Sequence, residues 1–227
     1  MKLAALYSGG KDSTYSIYRA KEMGHSVECL ITMHPVADDS ALFHYPNSWI
    51  TGYQAEAMQI PMLAFQVKGK GSKEDELAAL DAAVAQAKRL YSIEGVVSGG
   101  ISSVFQKQAF ESACARHGLA SISPLWGADP EKYMAELLDK KFEIVVVGVS
   151  AMGLGREWLG RTIGRAELEE LKKLSKKYGF NLTFEGGEAE TLVTNCPLFQ
   201  KRVVIKKARA HWDGQRGIFE ILEAGLL

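Results

Sequence analysis

The sequence predicts an α/β fold, with a mostly parallel sheet that carries helices on both faces, followed by a C-terminal antiparallel hairpin. Short runs rich in β-branched residues alternate with longer runs that repeat apolar residues at helical spacing, which is typical of parallel sheets. A glycine turn directly follows the first short run. The end of the chain differs, because residues 202–212 and 217–222 are strand-like runs joined by the turn signal Asp213-Gly214-Gln215-Arg216.

The elements can be assigned in order along the chain. The predicted strands are residues 3–7, 27–33, 62–67, 95–98 and 144–149. The predicted helices, from apolar stripes at helical spacing, are residues 14–23, 77–91, 105–113 and 168–178. Two helix starts have capping signals, since Ser72 precedes Asp75 by three residues and Asp129 precedes Pro130. Residues 34–49 lack periodicity, and a loop of that length usually carries function.

The composition is that of a globular protein, with 47% hydrophobic and 24% charged residues in a chain of 227. Lys+Arg and Asp+Glu each total 27, so the zero net charge gives no general attraction to nucleic acid or to an anionic membrane. The start of the sequence has no signal region and no run is long enough to span a membrane, so we expect a soluble cytoplasmic protein. Cys29, Cys114 and Cys196 are widely spaced, which favours reduced, buried thiols over disulfides or zinc.

The glycine turn is the most informative segment, and it reads Ser8-Gly9-Gly10-Lys11-Asp12-Ser13. Adjacent glycines let the backbone approach a ligand closely, and the start of a helix adds N–H groups and positive dipole density. The backbone of Gly9, Gly10 and Lys11 is therefore predicted to donate to a phosphate chain. The Lys11 ammonium and the hydroxyls of Ser8 and Ser13 are predicted to assist. Because Asp12 would repel phosphate, we expect a magnesium ion between them.

A second small-residue turn follows the predicted strand 95–98. Ser98, Gly99 and Gly100 lie there, and their small side chains suit close approach by a nucleotide. Residues 124–127 are a weaker candidate, because Trp126 is equally compatible with a core position and with a site.

Two charged clusters occur in the second half of the chain. Residues 185–191 place three carboxylates around two glycines, either as a solvated acidic loop or, as the apolar flanks favour, as a partly enclosed functional loop. Residues 153–161 follow the predicted strand 144–149, so we expect them at the carboxyl edge of the same sheet. Arg156 and Arg161 could fork onto a carboxylate or phosphate, or could simply flank a tryptophan of the core.

Residues 8–13 resemble the PP-loop signature Ser-Gly-Gly-x-Asp-Ser of the ATP pyrophosphatase (adenine nucleotide alpha hydrolase-like) superfamily, which cleaves ATP between the α and β phosphates. Their adjacent glycines do not fit a Walker A loop. Nearly the whole chain is similar to the diphthine-ammonia ligase family, which completes diphthamide on translation elongation factor 2. The matching segments are residues 6–13, 43–47, 99–103, 124–127, 158–161 and 185–191. Ala189 replaces the family's aromatic residue and Tyr45 its threonine, which bears on substrate shape more than on ATP chemistry.

The resemblance implies an ATP-dependent amidation. A substrate carboxylate would attack the α phosphorus, pyrophosphate would leave, and ammonia would displace AMP from the acyl-adenylate. ATP and Mg²⁺ are the implied cofactors. Free ammonium is the expected nitrogen source, because residue 2 is lysine and no length remains for an ammonia-releasing domain. The expected organisation is a PP-loop ATP-binding domain over residues 1–120 and a substrate-binding region over residues 121–227 that ends in the hairpin.

The resemblance also implies roles for individual residues. Catalysis is assigned to Lys11, Glu188 and Glu190, and the glutamates either bind ammonium and act as base or hold magnesium. ATP binding is assigned to Ser8, Gly9, Gly10, Lys11, Asp12, Ser13, Met33, Ser98, Gly99 and Gly100. Within that set Met33 is expected beside the adenine and Asp12 on the metal. Substrate binding is assigned to His44, Trp126, Arg156, Trp158, Gly160, Arg161, Glu185, Gly186, Gly187 and Thr191.

Two other functions stay open. A transfer-RNA modifier of the same superfamily would need a basic face, and a run of lysines and arginines near the C-terminus is the candidate. A solvated face of the hairpin explains that run equally well. That run is Lys201, Arg202, Lys206, Lys207, Arg209 and Arg216. A nucleotide sensor without turnover would share the scaffold. Elongation factor 2 is the expected partner, a membrane is not expected, nucleic acid is disfavoured, and a homo-oligomer is left open.

Overall fold

The computed structural model describes residues 1–34, 47–67 and 72–227, which form two compact units, Met1–Trp126 and Gly127–Leu227. In these three ranges, no helix is both long and apolar enough to cross a membrane. The cysteines are buried, as the sequence predicts. Burial raises the pKa of Cys29 to about 12 and the pKa of Cys114 to about 11.

The first unit is built on a five-stranded sheet. Its strands are β1 (Lys2–Leu6), β2 (Ser26–His34), β3 (Met62–Gln66), β4 (Gly95–Val97) and β5 (Ala120–Ile122). Its helices are α1 (Lys11–Glu22), α2 (Thr51–Met58), α3 (Lys73–Tyr91) and α4 (Val104–Arg116), and a 3-10 turn at Ser48–Ile50 precedes α2. All strands pair in parallel in the order β3-β2-β1-β4-β5, which confirms the predicted fold class.

Helices cover both faces of this sheet. The path moves outward from β1 to β3 and returns to the other side of β1 with β4 and β5, so right-handed crossovers place α1 and α2 opposite α3 and α4. Alternate residues of β1 are accordingly buried on both faces. Ala4 joins an apolar cluster with Val84 of α3 and Phe110 of α4, whereas Leu3 lies outside that cluster.

The second unit contains an antiparallel sheet and two helices. Its strands are β6 (Glu143–Val149), β7 (Ala189–Asn195), β8 (Val203–Trp212) and β9 (Gly217–Leu226), in the order β7-β6-β9-β8. Its helices are α5 (Pro130–Asp139) and α6 (Arg165–Tyr178). Strands β8 and β9 form the predicted hairpin. Asp213 Oδ1 fixes its turn by accepting the N–H groups of Gln215 at 2.8 Å and Arg216 at 2.7 Å.

The expectation that residues 144–149 belong to the parallel sheet is wrong. This run is β6, and both of its neighbours, β7 and β9, are antiparallel to it. Residues 144–149 are all buried, and a continuous apolar run is compatible with a central strand in either kind of sheet. Residues 153–161 therefore do not follow a strand of the parallel sheet.

Both predicted helix caps are present. Ser72 Oγ accepts the Asp75 N–H at 3.2 Å, and the Asp75 carboxylate accepts the Ser72 N–H at 3.1 Å, which completes a capping box at α3. Asp129 Oδ1 accepts the Lys132 N–H at 2.9 Å, with Pro130 as the first residue of α5. These polar residues fix where each helix begins.

Candidate functional site

The glycine turn lies where the parallel sheet changes direction. β1 is flanked by β2 on one side and β4 on the other, because the chain runs from β1 to β2 and β3 on one side and then crosses to add β4 and β5 on the other. In open α/β sheets, ligands bind beyond the carboxyl ends of the strands at this switch point. The turns after β1, at residues 8–10, and after β4, at residues 98–103, both lie there.

Gly9 has a conformation and an environment that exclude a side chain. Its φ is +82°, and a Cβ at this position would lie 2.4 Å from Gln54 Oε1. The side chain of Gln54 is fully buried in α2, and its Nε2 donates to the Gly9 carbonyl at 2.9 Å. The buried side-chain amide of Gln54 therefore fixes the position of the Gly9 carbonyl in the turn.

The start of α1 has no side-chain cap. Gly10 is its N-cap, with φ −78° and ψ 172°, and no side-chain capping hydrogen bond is formed. An uncapped helix start directs N–H groups and the positive end of the dipole toward an anion. This geometry supports the predicted phosphate contact.

The serines of the turn hold its shape. Ser13 Oγ accepts the Ser8 N–H at 3.2 Å, donates to the Gly10 carbonyl at 3.2 Å and lies 3.1 Å from Ser8 Oγ. Thr14 Oγ1 donates to the same Gly10 carbonyl at 2.8 Å. The hydroxyls predicted to contact phosphate are thus part of the turn itself.

Lys11 and Asp12 form an ion pair inside the turn. Lys11 Nζ lies 2.9 Å from Asp12 Oδ2, and the lysine side chain is 2% exposed against 28% for the aspartate. A buried ammonium needs such a partner, because desolvation of an isolated charge is costly. Magnesium is usually held by one or two carboxylates together with phosphate oxygens, so the chemistry of Asp12, beside the predicted phosphate contact, fits the expected metal.

Gly99 brings the second turn against the first. A Cβ there would lie 2.6 Å from the Asp12 carbonyl carbon and 2.7 Å from the Ser13 nitrogen, both backbone atoms. Ser98 is buried, and its Oγ lies 3.2 Å from Ser123 Oγ. Gly100 has open space around it. The sequence-predicted residues of the two turns are therefore in contact at the switch point.

Other predicted residues of the first unit have different surroundings. Met33 is 5% exposed and packs in the apolar cluster beneath α3, near the carboxyl end of β2. Trp126 is 37% exposed, with Lys107 Nζ 4.3 Å from its ring centroid, so it is not a core residue. His44 lies outside the described residues.

In the second unit, Glu188 is fixed by backbone groups of its own loop. Its Oε1 accepts the Asn181 N–H at 2.9 Å and its Oε2 accepts the Gly186 N–H at 2.7 Å. Phe184 and Gly187 take left-handed conformations, with φ of +64° and +78°, which fold the loop back on itself. Each carboxylate oxygen retains capacity to accept a further donor.

The same loop is tied to the turn after β6. The Glu188 carbonyl accepts N–H groups from Ser150 at 2.9 Å and Ala151 at 3.2 Å. Ser150 Oγ donates to the Gly187 carbonyl at 2.5 Å. Residues 185–188 are therefore anchored to the turn after β6, with Glu185 and Glu188 half-buried and Gly186 and Gly187 exposed, so the acidic loop is ordered and only partly enclosed.

Glu190 and Thr191 begin strand β7. Glu190 pairs with Gly148 of β6, and a Cβ on Gly148 would lie 3.1 Å from Glu190 Cβ, so this glycine leaves room for the glutamate. Thr191 pairs with Val146, and both Glu190 and Thr191 are half-buried. Glu185 lies in the preceding loop and is also half-buried.

The arginine cluster is a charged network on a buried tryptophan. Arg161 Nη2 lies 3.2 Å from Glu167 and 2.7 Å from Glu170, and its guanidinium stands 4.4 Å over the Trp158 ring, which is 1% exposed. Hydrogen bonding to Glu170 raises the pKa of Arg161. Arg156 is exposed. Gly160, with φ +80°, lies against the ring of Phe219.

Sequence reasoning missed two contributors. Gln54 donates to the Gly9 carbonyl from α2, a helix that the sequence pattern did not predict. The one signal for this contact is a glutamine within a short apolar stretch. Asn181 supplies the N–H that holds Glu188, and its Oδ1 accepts from the Thr183 N–H and hydroxyl. A backbone donor leaves no mark in a sequence.

Known proteins resemble this chain along nearly its whole length. A model of the diphthamide synthase N-terminal domain matches residues 1–121, and one of the diphthamide synthase C-terminal domain matches residues 129–227. Diphthine--ammonia ligase of Rattus norvegicus is 33% identical over 92% of this chain and 85% of that protein. The protein of the same name from Schizosaccharomyces pombe is 31% identical over 95% of this chain and 38% of that protein. The crystal structure of a "predicted subunit of tRNA methyltransferase" from Methanocaldococcus jannaschii has a TM-score of 0.43 and 17% identity, over 86% of this chain and 98% of that chain.

The parallel sheet and its uncapped diglycine turn define an α/β protein with a helix start of the kind that binds phosphate. The two domain models together match almost every residue of the sequence. The chain belongs to the diphthamide synthase family.

Proposed function

We propose that this chain is an ATP-dependent ligase that amidates the diphthine carboxylate of translation elongation factor 2 with ammonium, giving diphthamide, AMP and pyrophosphate. The observation that carries the proposal is the Gly9-Gly10 turn, which leaves the start of α1 uncapped at the switch point of the parallel sheet. This sheet lies in the part of the chain that matches the diphthamide synthase N-terminal domain. The name shared by the relatives, diphthine--ammonia ligase, supports the choice of substrate and nitrogen source.

The first step transfers AMP to the acceptor carboxylate. The helix start donates backbone N–H groups to the departing pyrophosphate, and Lys11 stabilises the negative charge that develops on it. Lys11 begins in the ion pair with Asp12, so phosphate would replace Asp12 as the partner of the ammonium. Asp12 would then hold Mg²⁺, which supplies charge neutralisation on the phosphate oxygens.

The second step needs a group that binds ammonium and removes a proton. Glu188 fits, because two backbone N–H groups fix its carboxylate while each oxygen can still accept a hydrogen bond. Glu190 stands two residues further along the chain at the start of β7 and is the second candidate. A role of either glutamate as a magnesium ligand is the competing assignment.

Thiolation, the reaction of those PP-loop enzymes that install sulfur, has less support. Cys29, Cys114 and Cys196 are all buried, and burial raises the pKa of Cys29 and Cys114 far above neutral. A buried protonated thiol is a poor nucleophile. None of these three thiols has the exposure that sulfur transfer needs.

A transfer-RNA substrate has less support as well. Two members of the basic run are engaged by carboxylates, since Arg202 pairs with Glu143, and Lys206 Nζ lies 3.6 Å from Glu223. A face whose cations are neutralised locally attracts a polyanion less. Two of the six residues of the basic run are thus ion-paired, which lowers the attraction of this face for a polyanion.

The test is incubation of the purified chain with ATP, MgCl₂, ammonium chloride and diphthine-bearing elongation factor 2. Mass measurement of the modified peptide should give the carboxylate-to-amide change, and phosphorus NMR should give AMP and pyrophosphate. Lys11→Ala should slow formation of both products about 100- to 1,000-fold, whereas Lys21→Ala, at an exposed lysine at the other end of α1, should leave it unchanged. ADP and phosphate as products, or no amide from active substrate, would refute the proposal.

A further inference from the structure

An open cleft of about 690 Å³ in the second unit has no part in the chemistry described so far. One wall is the turn after β6, residues 150–155, and the other is the end of the hairpin at Trp212, Gly214 and Gln215. Glu157 also lines it. The cleft therefore lies directly beside the Glu188 loop, because Ser150 and Ala151 donate their N–H groups to the Glu188 carbonyl.

The groups around this cleft match a cation of low hydration. Glu157 is exposed, and in the part of the chain that the structure describes it forms no ion pair; its carboxylate accepts only the Gly155 N–H, at 3.3 Å. Trp212 supplies a half-buried indole, and Met152 adds an apolar side chain that is 77% exposed. Quaternary ammonium groups bind over aromatic faces, and a nearby carboxylate adds Coulomb attraction to the cation.

A second cleft, formed by described residues of the same unit, has the opposite character. It is lined by Lys132, Lys172 and Lys176 together with Asp129 and Glu131. Among the described lining residues of the first cleft, Glu157 carries the sole charge. A cation would thus be drawn to the cleft at Trp212 and not to the lysine-lined one.

We infer that the Trp212–Glu157 cleft binds a quaternary ammonium group of the acceptor substrate and so places the neighbouring carboxylate at the Glu188 loop. This inference rests on the proposed function, since diphthine carries a trimethylammonium group beside the carboxylate that becomes the amide. The indole and the Met152 side chain contact the methyl groups, and Glu157 balances the charge. Trp212 and Glu157 are then specificity-determining residues and take no part in bond formation.

A binding experiment tests the cleft without the reaction. The full chain, labelled with ¹⁵N-tryptophan, is titrated with choline chloride and, in parallel, with its neutral carbon isostere 3,3-dimethylbutan-1-ol. The indole signal of Trp212, identified by its loss in Trp212→Phe, should shift with choline and not with the alcohol. Glu157→Gln should weaken choline binding about two- to fivefold, as for the loss of an exposed ion pair. Glu223→Gln, on the same hairpin but outside the cleft, should leave it unchanged.

Kinetics then distinguish this inference from the proposed function. Glu157→Gln should raise KM for diphthine-bearing elongation factor 2 about two- to fivefold and leave KM for ATP unchanged. An unchanged substrate KM in an enzyme that does amidate, or equal shifts by choline and the alcohol, would overturn the inference while the proposed function stands. If the unsubstituted chain makes no amide, the proposed function fails, and the choline titration still decides what the cleft binds.

Discussion

Replacement of Gly9 by alanine should destabilise the protein by an amount that the structure sets. The φ of +82° places an L-residue in the left-handed region, at about 1–2 kcal/mol. The new Cβ would lie 2.4 Å from Gln54 Oε1, so the buried amide must move and its hydrogen bond to the Gly9 carbonyl is lost. An unsatisfied buried polar group costs about 1–3 kcal/mol, which gives a total of about 2–5 kcal/mol.

Gly24 provides a matched control for that figure. It has the same φ of +82°, but a Cβ there meets nothing within 4 Å. Gly24→Ala should therefore cost only the conformational part, about 1–2 kcal/mol. The difference between the two variants isolates the contact with Gln54.

The assay is urea denaturation followed by circular dichroism, with ATP binding measured by calorimetry on the folded variants. Gly9→Ala should lower the free energy of unfolding by more than Gly24→Ala and should weaken ATP binding, whereas Gly24→Ala should bind ATP normally. Equal stability losses would refute the proposed clash with Gln54. Normal ATP binding by a folded Gly9→Ala variant would refute the assignment of this turn to phosphate.

Three further predictions concern the chemistry of the site. Glu188→Gln should retain substrate-dependent ATP–pyrophosphate exchange and lose amide formation if Glu188 handles ammonium; loss of both activities in a folded variant would favour the metal assignment. Lys11→Ala should lower the rate of pyrophosphate exchange about 100- to 1,000-fold, and an undiminished rate would contradict its role. Iodoacetamide at pH 8 should leave Cys29, Cys114 and Cys196 unmodified in the native protein and alkylate all three in urea, as peptide mass spectrometry would measure. Rapid native alkylation would contradict their burial.

The sequence predicts the first unit better than the second. In the first unit, glycine turns and helix caps are local signals. Residues 8–13 predict a turn, and Ser72 and Asp75 predict a helix start, without knowledge of any distant residue. In the second, β6 is a fully buried run whose sheet is decided by its partners β7 and β9, which lie far along the chain. The residues of a strand indicate its burial and the alternation of its side chains. Whether it pairs in parallel or antiparallel can be decided only when its partner strands are known.

For the site, the sequence finds residues that carry functional groups and misses the groups that hold them. Glu188 was identifiable as one of three clustered carboxylates, but the backbone of Asn181 and Gly186 that fixes it has no side-chain signature. Arg161 was identifiable as a possible anion ligand, and only the fold reveals that Glu167 and Glu170 already engage it. Tertiary partners thus decide which of several chemically able residues is available to a ligand.

Gly99 illustrates how packing and ligand binding require the same residue. The sequence suggested close approach of a nucleotide, and the structure places the backbone of Asp12 and Ser13 where a Cβ would be. Both requirements call for glycine, because the predicted phosphate site can form at the switch point only if the first turn of α1 packs directly against the end of β4. Any side chain at position 99 would push that turn away from β4, so it would displace the predicted phosphate donors without touching the ligand. Glycine is therefore required at position 99 by packing at the end of β4, and its replacement would weaken phosphate binding by moving the predicted donors.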